Sequence, residues 1–382
     1  MRLLIVDHNA LDSLGRRVYE TLAAEWPESV TLLVPERWHD GYRMQRFGGE
    51  VREGCLEIVA SRVLAPQRTH RMIYRDLGRE LSRIRPEMLF VNAEPENFQT
   101  WHAARLARRS PSMRFVFSTW RNIDHRTVGY PYRFGELHRR AEQAVLARAD
   151  HGIAFTTDGV GLFRRYGFGE ITHVPPAVDT EVFFPAESHA LRESLRLSEF
   201  TIGYAGRLVQ EKGVDDLLHA SALCRFPHQL LIVGEGPERV SLKALAATLG
   251  ISERIMWAGS HSHRRVAASI KAMDVLVLPS RTGKFWKEQF GRVLIEAMAC
   301  RVPVIGSSSG AIPTVIGNAG AVVEEGNRHA LAAALTRLYD DRSLREDLAE
   351  RGFQRARQRH AVPVIASTYR ALLSSILDSP RN

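Results

Sequence analysis

Lysine is scarce in this chain. Of its 52 basic residues only five are lysines, at positions 212, 243, 271, 284 and 287, and the remaining 47 are arginines. A GC-rich genome produces such a bias without any functional demand. The formal charge of +9 therefore decides little, since nucleic acid, membrane surfaces and phosphorylated small molecules would all suit it. Cysteine is scarcer still. Cys55, Cys224 and Cys300 are too few and too scattered for a disulfide framework, and no CxxC or His/Cys cluster suggests zinc. No stretch approaches ~18 consecutive apolar residues, and the opening MRLLIVDHNA is interrupted by Asp7 and His8, unlike a signal peptide. The expectation is a cytoplasmic protein, with peripheral attachment at the inner face of a membrane left open. Two motifs are also missing: a complete Gly-x-Gly-x-x-Gly, which a nicotinamide site would want, and any Asp-x-Asp pair. With 45% apolar and 25% charged residues, the 382-residue chain is neither disordered nor fibrous and is long enough for two or three domains.

What is present is a rhythm. Short β-branched runs alternate with amphipathic stretches, the pattern of parallel α/β sheets. Strands are expected at Leu3–Asp7, Val30–Val34, Leu56–Ala60, Met88–Asn92, Arg114–Ser118, Gly152–Thr156 and Ile171–Val174. The rhythm restarts at Thr201–Ala205, Gln229–Val233, Ile255–Ala258, Val275–Leu278, Val302–Gly306 and Ala321–Val323. Prolines 175, 176 and 185 interrupt it between the halves. This spacing predicts domains at 1–185 and 186–355, and a helical tail over 356–382 that crosses back to the first. Two such domains would leave a cleft between the carboxyl ends of their sheets.

Three strand-to-helix turns in the second half carry candidate chemistry. Gly206-Arg-Leu-Val-Gln-Glu-Lys-Gly213 follows a strand and precedes a helix, so Arg207 and Lys212 flank a helix N-terminus, a favourable setting for a diphosphate. Val233-Gly-Glu-Gly-Pro237 is a tight turn, with Gly234, Glu235 and Gly236 at the rim of the expected ligand site. Glu288 and Glu296 lie eight positions apart in Glu288-Gln-Phe-Gly-Arg-Val-Leu-Ile-Glu296, about 12 Å if all the steps were helical. That is too far for a shared acid/base pair and suits two ends of one ligand. Glu296 sits among apolar neighbours, where a carboxylate needs donors.

Together with Leu278-Pro-Ser280, Glu296-Ala-Met-Ala and Pro303-Val-Ile, these turns resemble the retaining nucleotide-sugar glycosyltransferases of family 4. The linker Pro176-Ala-Val-Asp179 to Phe184-Pro185 resembles that family's too, with Pro-Ala in place of Asn-Gly. The resemblance implies an α/β B-type fold of two Rossmann-like domains with parallel sheets facing across a cleft. It implies a metal-independent hexosyl transfer from a UDP- or GDP-linked sugar to a glycan, lipid-linked glycan or small-molecule hydroxyl. No cofactor and no nucleic acid is implied. Arg207 and Lys212 would hold the donor diphosphate, Glu296 the ribose, and Glu288 the donor sugar. Gly206, Gly234, Glu235, Gly236 and the backbone of Gln289, Phe290 and Gly291 would line the pocket. A phosphorylase-type enzyme or a non-catalytic nucleotide-sugar binder on the same scaffold is the alternative.

The first half departs from the family, lacking paired glycines after its first strand and the usual histidine after Arg114–Ser118. Asn92-Ala-Glu94-Pro-Glu and Ser118-Thr-Trp-Arg-Asn-Ile resemble a subgroup's motifs. Glu94 is accordingly the candidate for orienting the acceptor or taking its proton, with a loop carboxylate capping the next helix as the bland reading. Trp120, Asn122 and His125 are the candidate acceptor contacts. Residues 101–150 hold ten arginines against four acidic residues. With Trp101 near Arg105, Arg108 and Arg109, they offer a peripheral membrane contact or simply a solvated face.

Overall fold

The computed structural model describes residues 1–380 apart from 12, 40–43, 48–51, 54 and 187. Two compact units emerge, Met1–Ala177 with Val362–Asn382, and Val178–Ala361.

The first unit is built on the parallel strands β1 (Leu3–Val6), β2 (Val30–Pro35), β3 (Leu56–Ser61), β4 (Met88–Val91), β5 (Arg114–Thr119), β6 (His151–Ala154) and β7 (Ile171–His173). Their order is β7-β6-β5-β4-β1-β2-β3, with a two-residue antiparallel strand, Arg52–Glu53, on the β3 edge. The second unit has β8 (Phe200–Ala205), β9 (His228–Val233), β10 (Ile255–Gly259), β11 (Val275–Leu278), β12 (Val304–Ser307) and β13 (Ala321–Val323), ordered β10-β9-β8-β11-β12-β13 and all parallel. Numbered from its own first strand, the first unit thus reads 3-2-1-4-5-6-7 and the second 3-2-1-4-5-6. This is a doubly wound sheet whose order reverses between β1 and β4, and between β8 and β11.

Composition explains the strands. Leu3-Leu-Ile-Val6 and Met88-Leu-Phe-Val91 are buried on both faces, as parallel strands sandwiched by helices must be. In register, Ile5 lies between Leu32 and Phe90. All thirteen strands expected from the sequence are present. The small pairs Arg37–His39 with Met44–Arg46, and Val63–Leu64 with Ile73–Tyr74, were not foreseen, because two or three residues show no periodicity.

Two expectations need correction. The chain leaves the first unit at Ala177, not at 185. Val178 already donates to the His360 carbonyl at 2.7 Å and bridges Ala361, while Phe183 is fully buried and the Lys271 ammonium lies 3.6 Å from the Phe184 ring centre. The tail returns at Val362, not at 356, because helix Arg342–His360 stops before Pro363. A proline in mid-helix would lack the required N–H, and the new helix Val362–Asp378 takes it into its first turn. That helix delivers Ile365, Tyr369, Leu373 and Ile376 to a core shared with Ile5, Leu32 and Phe90. At about 1.5–3 kcal/mol per large buried side chain, it is integral to the first unit. Glu288 and Glu296 lie on either side of a loop-to-helix junction, since helix Arg292–Ala299 begins only after Gly291, whose φ is +82°, so the all-helical span of about 12 Å does not apply.

Candidate functional site

In the second unit the turns beyond β8, β9 and β11 interlock at the reversal of strand order. Gly206 N donates to the Val233 carbonyl at 2.9 Å, Leu208 N to Glu235 O at 2.9 Å and Glu238 N to Leu208 O at 3.0 Å. The two backbones lie so close that a Cβ on Gly234, at φ +144°, would stand 1.8 Å from the Gly206 carbonyl oxygen. On the other side Gly213, at φ +62°, has room for no Cβ, because the Pro279 carbonyl oxygen would lie 2.1 Å away. Arg281 N closes the same contact by donating to Glu211 O at 2.8 Å. Glycine is required at both places by contact as well as by φ.

This tight packing fixes Lys212. Its Nζ meets Glu288 Oε2 at 2.6 Å, and Ser280 Oγ donates to the same oxygen at 2.7 Å. The ammonium lies 5.0 Å from the Trp286 ring centre, in the range of a cation–π contact. Glu288 is buried and Lys212 nearly so. Beyond Glu288, the backbone N–H groups of Gln289, Phe290 and Gly291 bond to no other described group and precede the helix Arg292–Ala299. A cation, a buried carboxylate and unused N–H groups therefore meet at one helix N-terminus, a setting that receives oxyanions. Arg207 is exposed and forms no ion pair among the described residues. The Phe290 side chain is core, edge-on to His360, so only its backbone is available. The Glu235 carboxylate is taken by Arg239. Glu296 is half-buried and accepts no hydrogen bond from a described group. Burial pushes its carboxyl above the ordinary range, against the charges of Arg292 and His263.

Next to this site Asp216 is clamped by Arg281 and Arg328, with Arg328 Nε at 2.8 Å. Burial alone would raise this carboxyl, yet the two guanidiniums hold it below its usual range. The clamp anchors the base of the loop that carries Trp286.

In the first unit, the corresponding reversal holds Asp7. Tyr19 Oη donates to Asp7 Oδ2 at 2.7 Å, and Asn92 Nδ2 donates to the same oxygen at 2.6 Å. Burial lifts this carboxyl to about 6, against those bonds. Beyond β4, Glu94 does not cap the next helix with its side chain. It joins the loop after β5: Thr119 Oγ1 donates to Oε2 and Trp120 N to Oε1, both at 2.6 Å. It is the Glu94 carbonyl that accepts from Asn97 N and Thr100 Oγ1. Burial and the charge of Glu96 raise Glu94 to about 7, despite Arg121 and those two donors. Glu96 is oppositely placed. Burial would raise it, but Arg121 and His125 bring it down to about 2.

Trp120 and Asn122 lie on the loop after β5, where Trp120 N meets Glu94, and His125 opens the short helix His125–Val128 that follows. Trp120 packs on Phe155 at 4.3 Å, and His125 Nδ1 stands 3.7 Å from Glu96. Sequence reasoning missed the centre of this cluster. Arg121 is fully buried and paired with both Glu96 and Glu142, and Glu142 also pairs with Arg126 at 2.7 Å. Glu96 stood two residues from a named candidate, but nothing in the sequence placed Glu142 against it. Ser280 was read only as part of the motif Leu278-Pro-Ser280, with no role given to it, and Trp286 was missed, although Lys287 follows it directly. Among the described residues no group of three or more His, Cys, Asp or Glu side chains could hold a metal, and no helix is long and apolar enough to cross a membrane.

Comparison with known proteins adds the following. Residues 188–355, less than half of the chain, match the family described as glycosyl transferases group 1. The N-acetyl-alpha-D-glucosaminyl L-malate synthase of Bacillus anthracis is 30% identical over 211 residues, 54% of each chain. A D-inositol 3-phosphate glycosyltransferase of Stackebrandtia nassauensis is 31% identical over 228 residues, 54% of this chain and 50% of that one. The chain thus matches only about half the length of these curated relatives. Among solved structures, the sucrose-phosphate synthase of Thermosynechococcus elongatus superposes with a TM-score of 0.75 at 20% identity, covering 98% of this chain and 100% of that one. Anabaena HepE in complex with UDP-glucose gives 0.73 at 18% identity, covering 98% and 100%. At such identities the likeness establishes the fold, which is the B-type fold of glycosyltransferases. The second unit carries a group 1 glycosyltransferase sequence pattern.

Proposed function

We propose that the chain is a retaining glycosyltransferase of the family 4 type, moving a sugar from a UDP- or GDP-linked donor to an acceptor hydroxyl. The observation that carries this reading is the Lys212–Glu288–Ser280 contact beside unused backbone N–H groups. In this reading Lys212 and Arg207 neutralise the diphosphate as charge develops on the leaving group. The N–H groups of Gln289, Phe290 and Gly291 line the phosphate and sugar pocket. Glu288 takes donor-sugar hydroxyls and Glu296 the ribose hydroxyls, which supply the donors its carboxylate lacks. The proposal needs no metal, because two cations and a helix N-terminus do that electrostatic work. The related structures include one bound to UDP-glucose, which supports a nucleotide-sugar donor.

The acceptor, a glycan, lipid-linked glycan or small-molecule glycoside, is assigned to the first unit near Trp120, Asn122 and His125. Glu94, titrating near 7, suits proton exchange with an acceptor hydroxyl at neutral pH. A cytoplasmic location with peripheral membrane contact fits the helices Phe98–Ala107 and Gly135–Leu146. They carry exposed Arg105 and Arg140 together with Leu137, 50% exposed, and Phe134 just before the second helix is 47% exposed. Charge reversal at Arg105, Arg108 and Arg109 is expected to abolish sedimentation with anionic liposomes, and unchanged sedimentation retires the membrane contact.

A thermal-shift screen of nucleotide sugars tests the main reading. A ligand present at 100 times its Kd adds about 2.7 kcal/mol of apparent stability, so the true donor should raise the melting temperature by several degrees. No response to any UDP- or GDP-sugar contradicts the proposal.

A further inference from the structure

Three side chains of the first unit, His70, Arg71 and His138, are used by none of the roles above. Trp38 Nε1 donates to Thr69 Oγ1 at 3.0 Å and fixes the turn Thr69–Arg71. From that turn His70 stacks on Tyr132, with ring centres 4.5 Å apart at 12°. Both rings approach His138, at 5.4 and 4.4 Å, and Phe98 stacks on His138 at 4.8 Å. His138 is fully buried. Its Nδ1 lies 2.9 Å from the Glu96 carbonyl oxygen and so carries the hydrogen, which leaves Nε2 without a partner.

Arg71, next in the turn, sets the charge of this place. Its guanidinium lies 5.0 Å from the Phe134 ring centre, and its buried Nε has no hydrogen-bond partner. Among the described residues it has no acidic partner. The contrast with neighbouring arginines is sharp, because Arg121 is paired with Glu96 and Glu142, and Arg126 with Glu142. The unbalanced charge also reaches the histidines. Burial depresses His70, and the charges of His138, Arg71 and Arg68 depress it further. A buried guanidinium nitrogen without an acceptor is costly, and an oxyanion would relieve it with paired N–H···O bonds.

We propose that Arg71, His70 and His138 form a binding site for an oxyanion, a phosphate or carboxylate group carried by the acceptor. Arg71 supplies the charge and a planar fork. Tyr132 and Phe98 pack the two imidazoles, the Phe134 ring lies beside the guanidinium, and the neutral His138 Nε2 accepts from a hydroxyl of the ligand or from its protonated oxygen. Assignment of the anion to an acceptor rests on the transferase reading, whereas the site itself does not.

The test uses the full chain carrying Arg207→Gln and Lys212→Gln, so that the second unit does not compete for anions. Inorganic phosphate is titrated while the ring signals of His70 and His138 are followed by NMR, with glycerol as the neutral comparison. Saturable shifts with phosphate and none with glycerol are expected. Arg71→Gln should weaken phosphate binding at least tenfold, and Arg71→Lys should recover part of it by keeping the charge without the fork. Ring signals that ignore phosphate, that respond equally to glycerol, or that titrate unchanged in a folded Arg71→Gln chain overturn the proposal. If phosphate binds here while no nucleotide sugar stabilises the wild-type chain, the transferase reading fails and this site stands.

Discussion

Lys212 is bonded to Glu288 at 2.6 Å, yet the proposed role of Lys212 is to hold a diphosphate. The two uses compete, and the competition predicts effects of opposite sign. At an effective dielectric of 20, charges 2.6 Å apart attract by about 6 kcal/mol. Desolvation offsets most of that, leaving a net coupling of about 1–3 kcal/mol for a pair this deeply placed. Glu288→Gln removes the competing carboxylate and its repulsion of the diphosphate. UDP, used as the probe, should then bind about 5- to 150-fold more tightly, while turnover falls by about 100-fold or more because the donor sugar loses its anchor. Lys212→Gln deletes a charge-assisted contact worth about 1.5–3 kcal/mol, so UDP should bind about 10- to 150-fold more weakly. The double variant should bind between Lys212→Gln and the wild type, since relief of repulsion remains but no ammonium is released. Calorimetric titration of the four proteins at one fixed salt concentration measures this directly. Equal weakening of UDP binding by Glu288→Gln and Lys212→Gln would refute the competition and make the pair a purely structural bridge.

Other outcomes follow from the same geometry. Gly234→Ala forces a Cβ to within 1.8 Å of the Gly206 carbonyl, so it should cost about 3 kcal/mol or more and abolish UDP binding, as read by urea unfolding and calorimetry. Asp216→Asn removes the buried carboxylate between Arg281 and Arg328, leaving them Asp215 alone, and should lower stability by about 1–3 kcal/mol in the same unfolding assay. Glu94 is raised to about 7 from an ordinary 4.5, so its contribution to stability is complete below about pH 4.5 and disappears as the pH rises through 7. Asp7, raised to about 6 from 3.8, acts in the same direction over a lower window. Glu94→Gln should therefore lose less stability than the wild type between pH 5 and pH 8, by about 1–3 kcal/mol. An identical pH slope in the two proteins would mean that Glu94 ionises normally.

The sheets were legible because parallel strands buried on both faces are written as short apolar runs, as in Leu3–Val6 and Val275–Leu278. The turns of the second unit were legible because interlocked backbones demand glycine at 213 and 234, and because so few lysines compete for attention. Domain boundaries were less so. Three prolines marked the linker, but the crossing is set by the pairing of Val178 with Ala361, a contact between residues far apart in sequence. The polar core of the first unit was hidden for the same reason. Glu94, Glu96, Arg121 and Glu142 come from two loops and a helix, and only the fold shows that one buried guanidinium serves two carboxylates. Trp286 was passed over because its role lies entirely in facing Lys212 across the turn.

The central claim is transfer with retention from a nucleotide-linked sugar, and the anomeric configuration of the first-formed product tests it most directly. Proton NMR of the wild-type chain with a panel of α-linked UDP- and GDP-sugars, using water or a simple alcohol as acceptor, follows both the product and the released nucleoside diphosphate. The account predicts an α product for the true donor, and loss of its release in Lys212→Gln. A β product, or no nucleoside diphosphate released from any member of the panel, would contradict it.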